Sequence, residues 1–263
     1  MHAAVVEGIG FWGSGLPGWD ATCAWLRSGS EPQAAPARPS PTVLAANERR
    51  RAPATVAVAL EAALAACEAA DRAPAILPSV FASTHGEMSI TDYMCATLAS
   101  EPLALSPTRF HNSVHNAAAG YWTIGTGAHA PATALSAGRG SFAQGLLEAM
   151  AQLAAGSEAV LLVACDGPAC GPLAEVIPSD GLLGVALVLA RTPCPGLPQL
   201  QLEWAEQAPS DEAAALAGPL SQRLAGNAMQ PALPLFEALA LEHAQAWLPA
   251  GNGQWLRVGL AHG

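Results

Sequence analysis

The sequence predicts an α/β protein with a mostly parallel sheet, helices on both faces, and antiparallel strands toward the C-terminus. Three observations support this prediction. Short apolar segments bounded by Gly and Pro alternate with longer Ala-rich segments, which is the order of a sheet whose strands are connected by helices. The strand segments are largely apolar, as in strands covered on both faces. After residue 181, two strand-like segments follow each other without a helix, which favours antiparallel pairing.

The individual elements follow from helical spacing, strand-like apolar runs and Gly or Pro boundaries. Residues 132–165 read as a strand, a small-residue turn, a long helix and a second strand, and Pro53 sets the start of the regular part of the second helix. The other predicted strands cover residues 2–11, 74–84, 181–191, 198–207 and 254–261, and the other predicted helices cover residues 18–29, 47–71, 87–100, 110–127, 211–224 and 233–247.

The composition excludes several classes of function. The net charge is −10, with 11 Lys and Arg against 21 Asp and Glu, so the surface repels nucleic-acid phosphates and anionic lipids. The chain shows no signal-peptide pattern at its start, and no apolar run reaches the roughly 18 residues that cross a bilayer. We therefore expect a cytoplasmic protein with no nucleic-acid and no membrane partner. Only 12% of the residues are charged, which favours a chain that covers one face with a partner.

The turn between the strand and the helix of residues 132–165 is the kind of corner that holds a nucleophile in many enzymes. Its tip, Ala137 to Gly140, carries neither a thiol nor a hydroxyl. Ser136 falls in the strand and Ser141 inside the helix, so neither stands at the tip where nucleophilic catalysis needs it. We expect Ser141 to bond its own helix backbone.

Arg139 is the unusual residue of this corner. A guanidinium at the start of a helix opposes the helix macrodipole and favours an acidic partner. Two interpretations stay open, an exposed Arg at a loop tip and a buried Arg paired with an acid in a pocket or interface. Glu48 to Arg51 (ERRR) form the only basic run, which is typical of a solvated helix start, with docking of a carrier protein as the alternative.

The segment FHNSVHN, residues 110–116, is the densest group of polar and aromatic side chains. His111 and His115 lie at i and i+4, a spacing that could ligate zinc if His85 or Glu87 supplied a third group. The simpler interpretation is that these side chains hydrogen-bond a helix start or line a pocket.

The order of the segments resembles the N-terminal half of the β-ketoacyl synthases of the thiolase-like superfamily. The first strand with its W…LRSG helix, RRRAPATVAVALEAALAAC, and the stretch from FHNSVHNAAAGYWTIGTG to VLLVAC carry the resemblance, over residues 1–190. It implies half of a thiolase-like fold in a single domain, residues 1–263. The segment FHNSVHN…GYW is most similar to the short chain length factor subunits of bacterial aryl polyene clusters.

The resemblance also implies two departures from a working synthase. Alignment without gaps, forward from Asn116 or backward from Gly156, places the family's catalytic Cys at Arg139, which cannot form a thioester. The family's second half, with its two histidines, has no counterpart before Gly263. The resemblance therefore implies a non-catalytic partner subunit whose residues 112–115 project into the acyl tunnel of an active ketosynthase.

The expected complex is a heterodimer with a full-length ketosynthase, with an acyl carrier protein as an indirect partner. The chain itself needs no cofactor, since the substrate is carried on the phosphopantetheine of the carrier protein. The alternatives are an independent acyl-transfer enzyme or hydrolase that uses a Ser or a displaced Cys, such as Cys95 or Cys165, and a small-molecule or metal-binding module. The expected tunnel and interface residues are Phe110, His111, Asn112, Ser113, Val114, His115, Asn116, Tyr121, Trp122, Ser136 and Phe142, with Arg139 in place of the nucleophile, no catalytic residue and no metal ligand.

Overall fold

A computed structural model of the chain describes residues 3–205, 209 and 211–263. Over these residues the chain forms one sheet of eight strands. The strands are β1 (Ala3–Gly13), β2 (Ser79–Ala82), β3 (Ala132–Leu135), β4 (Ala159–Asp166), β5 (Leu183–Ala190), β6 (Gln199–Ala205), β7 (Gln245–Gly251) and β8 (Gln254–Ala261), in the spatial order β3-β2-β4-β5-β1-β6-β8-β7.

Parallel pairing is confined to one end of this sheet, where β2 lies between β3 and β4. The α/β class and the antiparallel strands toward the C-terminus are confirmed, but the parallel part is smaller than the sequence predicted. The physical reason is that β1 inserts between β5 and β6 and runs antiparallel to both. Strands β5 and β6, which the sequence predicted to pair with each other, are therefore separated by β1.

The helices agree with the sequence in place and differ mainly where a proline divides them. Pro53 separates the predicted helix 47–71 into two, because the residue before a proline is driven out of the helical region; Ala52 has φ −59° and ψ 137°. The helices are α1 (Trp19–Ser28), α2 (Ala46–Arg51), α3 (Ala54–Ala69), α4 (Met88–Ser100), α5 (Pro107–His111), α6 (Ala117–Thr126), α7 (Ser141–Ala154), α8 (Leu173–Val176), α9 (Glu212–Ala215), α10 (Pro219–Arg223) and α11 (Leu233–Leu241).

Three other predicted elements are shorter or different. The strand predicted from residue 74 begins only at Ser79, after a 3-10 turn over Pro74–Ile76, and Pro219 starts a new helix inside the predicted helix 211–224. The predicted helix 233–247 was wrong beyond Leu241, since Glu242 has φ 57° and ends α11. Residue 2 of the first predicted strand and residues 206–207 of the fourth lie outside the described residues.

Helices cover both faces of the sheet, as predicted. On one face α3 lies so close to β1 that a Cβ on Gly10 would come within 1.8 Å of the Ala62 carbonyl oxygen. Small side chains on both elements make this close packing possible, and the apolar cluster there joins α3 to α6. On the other face α7 and α11 pack into a second, larger apolar cluster with the sheet.

Helix α7 has packing partners on two sides. Its residues contact β2 and β4 on one side and β7 on the other, although β7 lies at the sheet edge opposite β3. The sheet therefore curls, and its last strand returns to the helix that follows β3. No helix in the described part of the chain is both long enough and apolar enough to cross a membrane.

Candidate functional site

The corner, residues 137–141, joins β3 to α7 through a 3-10 turn, Gly138–Gly140, as the sequence predicted. Gly138 has φ +55°, a conformation that suits glycine. The Ser141 hydroxyl donates to the Gly138 carbonyl at 2.7 Å and accepts from the Ala137 N–H at 2.9 Å. The expectation that Ser141 bonds its own backbone is therefore confirmed, and its hydroxyl is part of the corner.

Arg139 stands at the tip of this corner and is exposed. Among the described residues it makes neither a hydrogen bond nor an ion pair. The interpretation of a buried Arg paired with an acid is therefore wrong for this chain by itself, and the exposed interpretation holds. The backbone on the inner side of the corner lies against Gly140, the residue after Arg139.

That inner side is filled by the end of β7. A Cβ on Gly140 would lie 2.6 Å from the Ala250 carbonyl carbon and 2.8 Å from the Gly251 nitrogen. Because such distances do not occur for a real Cβ, only glycine fits between the corner and the strand. The side-chain amide of Gln144, one turn into α7, donates to the Ala250 carbonyl at 2.8 Å.

Polar groups occupy the carboxyl ends of β2 and β4 beside the corner. The buried carboxylate of Asp166 accepts from the Ser83 hydroxyl at 2.8 Å, the Thr84 N–H at 2.9 Å and the His85 N–H at 3.1 Å. Burial raises the pKa of Asp166, and these hydrogen bonds oppose the rise. The carboxylate's donors are all groups of the segment that follows β2, so it fixes that segment rather than facing a substrate.

Thr84 joins this network to the corner. Its hydroxyl lies 3.3 Å from the Gly138 carbonyl and 3.4 Å from the Ala228 carbonyl, and its own carbonyl accepts from the Ser136 hydroxyl at 3.0 Å. Sequence reasoning missed Thr84 and Asp166. The available signal was that polar residues end two neighbouring apolar strands, where the site of a parallel sheet is usually found.

The segment 110–116 is divided between the interior and the surface. Asn112 is buried and accepts from the Tyr121 hydroxyl at 3.1 Å, while the Ser113 hydroxyl donates to the Phe110 carbonyl at 2.8 Å. The His115 Nε2 lies 2.9 Å from the Ser83 carbonyl oxygen and connects the segment to the polar network. The predicted helix 110–127 is interrupted here, between α5 and α6.

Several exposed side chains of this region surround a groove of about 320 Å³. The groove brings together four of the predicted site residues. Its walls come from α2, α5 and α6, and it has an apolar floor with charged side chains among its walls. The lining residues are Leu44, Glu48, Arg51, Thr108, His111, Val114, Asn116, Ala117, Gly120, Tyr121 and Ile124.

Two predicted aromatic site residues, like Asn112, lie beneath the surface instead. Trp122 is fully buried against Phe81, with ring centroids 6.5 Å apart, and Phe142 is buried against Phe236 at 5.9 Å. Both therefore pack the two apolar clusters, and neither presents its ring to a groove or to solvent. Ser136, at the end of β3, is exposed.

The alternatives based on a nucleophile or a metal find little support in the geometry. Cys165 is buried, and burial raises the pKa of its thiol well above the ordinary value, which disfavours the thiolate. Cys95 is exposed on α4. Within the ranges that the structure describes, no histidine bonds Ser136 or Ser141, and no three His, Cys, Asp or Glu side chains are grouped to hold a metal ion.

A projecting arm, residues 88–111, adds an apolar surface beside the groove. The arm consists of α4, a 3-10 turn over Pro102–Ala104 and α5, and α4 packs mainly against the other two elements. Arg109 lies over the Tyr93 ring, 3.8 Å from its centroid. The large apolar side chains exposed on the arm, on the turn after it and on α6 are Leu98, Leu103, Phe110, Val114 and Ile124.

Comparison with protein families decides which kind of protein carries this corner. The family described as "Beta-ketoacyl synthase, N-terminal domain" matches residues 23–256. The chain belongs to this family. The sequence-based resemblance is therefore confirmed, and with it the half-thiolase fold.

The solved structures that are similar to this chain include chains of almost the same length. One is in the complex of the ketosynthase ApeO with its chain length factor ApeC from Xenorhabdus doucetiae, with a TM-score of 0.74 and 22% identity over 98% of this chain and 100% of that chain. Another is in the ishigamide ketosynthase/chain length factor, with a TM-score of 0.74 and 13% identity over 100% and 99%. A β-ketoacyl synthase from Burkholderia phymatum has a TM-score of 0.57 and 14% identity over 92% and 70%. No curated protein matches the chain.

Proposed function

We propose that this chain is a non-catalytic chain length factor. It pairs with an active ketosynthase and shapes that enzyme's acyl tunnel during polyene, polyketide or fatty-acid-like chain elongation. The observation that carries the proposal is the corner between β3 and α7: its tip carries Arg139, where the resemblance places the family's nucleophile, and the backbone of Ala250 lies against the neighbouring Gly140. Two of the similar structures are described as ketosynthases with chain length factors, which supports the same role.

The corner lacks the nucleophile that a condensing enzyme requires. A guanidinium stays protonated and cannot attack a thioester. The condensation is therefore assigned to the Cys of the partner, which receives its substrate from the phosphopantetheine of an acyl carrier protein.

The surface around the corner is suited to a partner subunit. Strand β3 is an edge strand whose outer backbone groups are unpaired within the described sheet, and such edges pair readily with another strand. Leu103 and Phe110 on the arm are 101% and 61% exposed. Exposed side chains of this size, grouped on one surface, are typical of an interface.

The groove and the segment beside it form the proposed tunnel wall. His111, Val114, Asn116 and Tyr121 line the groove, and Asn112 holds Tyr121 in place from the interior. Side chains that close the far end of a tunnel limit the length of the acyl chain that fits. We propose that these residues set the length of an aryl polyene or similar chain in the cytoplasm.

The test is co-expression of the chain with a ketosynthase encoded next to it, followed by size-exclusion chromatography at micromolar concentration. We expect one peak with equimolar subunits. Phe110→Ser should weaken the complex, because it removes an exposed aromatic ring from the arm, whereas Trp204→Ser, which removes a ring of 43% exposure from β6, should not. Separate elution of the wild-type subunits contradicts the proposal.

A further inference from the structure

The β7–β8 hairpin, residues 245–261, contacts the corner across more than a hundred residues of sequence. Its turn at residues 251–253 contains three positive φ angles, which make a tight connection between the two strands. Ala250 and Gly251, at the end of β7, are the residues that lie against Gly140. The turn that carries Arg139 is therefore packed, on its inner side, against the end of β7.

The hairpin is firmly attached to the protein. In β7 alternate side chains are buried, and Ala246, Leu248 and Ala250 point into the apolar cluster beneath α7. Strand β8 forms a continuous antiparallel ladder with β6 from Trp255 to Ala261. Strand β7 pairs with β8 up to Pro249 and again at Gly251, and Ala250 lies at the irregularity between them, held by its buried side chain and by the pairing on either side.

The side chain of Gln144 links the hairpin to the corner. The Gln144 amide donates to the Ala250 carbonyl, and Gln144 lies one turn after Ser141, whose hydroxyl bonds both Ala137 and Gly138. The contacts thus run from the hairpin backbone to the start of α7 and on to the turn that carries Arg139. Gln144 also lines a surface pocket together with Leu135 and Ser136 at the end of β3.

We propose that the β7–β8 hairpin is the positioning element of the corner. Gln144 and Gly140 are its positioning residues: they hold the turn against Ala250 and Gly251 and thereby fix where Arg139 meets the partner subunit. The effect on the partner rests on the proposed function, whereas the hold on the corner is a property of the chain alone. This positioning role requires no bound ligand, because every contact is made by the chain's own backbone and by the Gln144 side-chain amide.

The first experiment measures hydrogen–deuterium exchange of the peptide covering residues 137–144 in the isolated full-length chain. Gln144→Glu keeps the shape of the side chain, but its carboxylate cannot donate to the Ala250 carbonyl. The matched control is Gln152→Glu on the same helix, whose amide reaches only Glu148 and Thr133. We expect exchange in the corner to become about tenfold faster in Gln144→Glu, with an unchanged urea midpoint, and to stay at the wild-type rate in the control.

A second pair of variants addresses the contact itself. Gly140→Ala places a methyl group against the Ala250 backbone, whereas Gly18→Ala adds the same group where nothing lies within 4 Å. Faster exchange confined to the corner in Gly140→Ala supports the proposal. Wild-type exchange in both Gln144→Glu and Gly140→Ala overturns it, and so does faster exchange throughout the chain, since the hairpin would then only stabilise the fold.

The consequence for the partner is measured separately, in the co-expressed complex. We expect Gln144→Glu to shift the distribution of product lengths and Gln152→Glu to leave it unchanged, while both variants still form the complex. An unshifted distribution in Gln144→Glu overturns this consequence. If even the wild-type subunits fail to associate, the proposed function is contradicted, and the exchange data on the isolated chain still decide whether the hairpin positions the corner.

Discussion

Helix α7 and helix α4 are of similar length but are packed in opposite ways. Eight of the 14 residues of α7 are buried, between the sheet on one side and β7 on the other, whereas only Met88 is buried among the 13 residues of α4. The first helix has its packing partners within the chain. The second, with the rest of the arm, leaves apolar side chains such as Leu98 in water. The buried core of the chain and its proposed pairing surface are therefore located in different regions.

The difference also explains how half of a synthase fold can be self-supporting. The face of α7 that turns away from β2 and β4 is covered by β7 and α11, elements that come from the end of this same chain. The edge of β3 and the arm have no such cover within the described residues. Substitutions around α7 should thus change the free energy of unfolding, whereas substitutions on the arm should change binding of the partner.

The largest effect is expected from Phe236→Ala. Phe236 is fully buried, and its ring lies 6.1 Å from that of Phe11, 6.0 Å from that of Trp19 and 5.9 Å from that of Phe142, measured between centroids. Removing a buried aromatic ring typically lowers the free energy of unfolding by about 3–5 kcal/mol. Urea denaturation of the isolated chain measures this loss. A loss below about 1 kcal/mol would show that the region around α7 is not the stabilising core.

Leu103→Ala should show the reverse pattern. Leu103 is fully exposed, so the free energy of unfolding should change by no more than about 0.5 kcal/mol. In a heterodimer the same side chain would be buried, and its loss should weaken binding about tenfold, which corresponds to about 1.4 kcal/mol. Titration of the labelled variant with the ketosynthase gives the dissociation constant. Unchanged binding would place the interface elsewhere than on the arm.

A smaller, pH-dependent effect is expected from Glu237→Gln. Burial raises the pKa of Glu237, while the Leu220 N–H, which donates to its carboxylate at 3.0 Å, opposes the rise. Because the folded chain holds this proton more tightly than the unfolded chain, the carboxyl favours folding most at low pH, and this contribution is lost as the pH rises through the folded-state pKa. The urea midpoint of wild type relative to Glu237→Gln should therefore fall from pH 4 to pH 8. A rising difference contradicts the assignment.

Arg139→Ala should have the smallest effect on stability. The side chain is exposed and has no described partner, so the free energy of unfolding should stay within about 0.5 kcal/mol of wild type. In the complex, however, the same substitution should alter the length distribution of the acyl products, as measured by mass spectrometry of the extracted chains. Products identical to wild type would show that Arg139 does not contribute to the partner's tunnel.

The sequence predicted the elements whose signals are local. The apolar run of β4, the corner at Gly138–Gly140 and the start of α3 after Pro53 depend on neighbouring residues only, and all three are in the structure. The first three residues of β7, Gln245–Trp247, were predicted as the end of a helix because they continue the Ala-rich pattern of α11. The helix stops instead at Glu242, in a left-handed conformation that this residue type does not signal. The insertion of β1 between β5 and β6 is likewise a long-range pairing.

The same distinction applies to the site. The small residues of the corner and the polar segment 110–116 could be found from the sequence. Three residues of that segment line one groove together with Tyr121, which was also predicted. The burial of Phe142 could not be predicted, since it depends on packing against Phe236 of the distant α11, and the exposure of Arg139 was only one of two open interpretations. Contacts between Gln144 and Ala250 join segments 106 residues apart, and no local pattern encodes them.

The most direct test is native mass spectrometry of this chain mixed with the ketosynthase of the co-expression experiment and an acyl-loaded carrier protein. The subunits are then separated by collision in the gas phase. We expect a heterodimer that holds the acyl group on the ketosynthase, with this chain released at its unmodified mass. An acyl group bound covalently to this chain, or the absence of any heterodimer, would contradict the account.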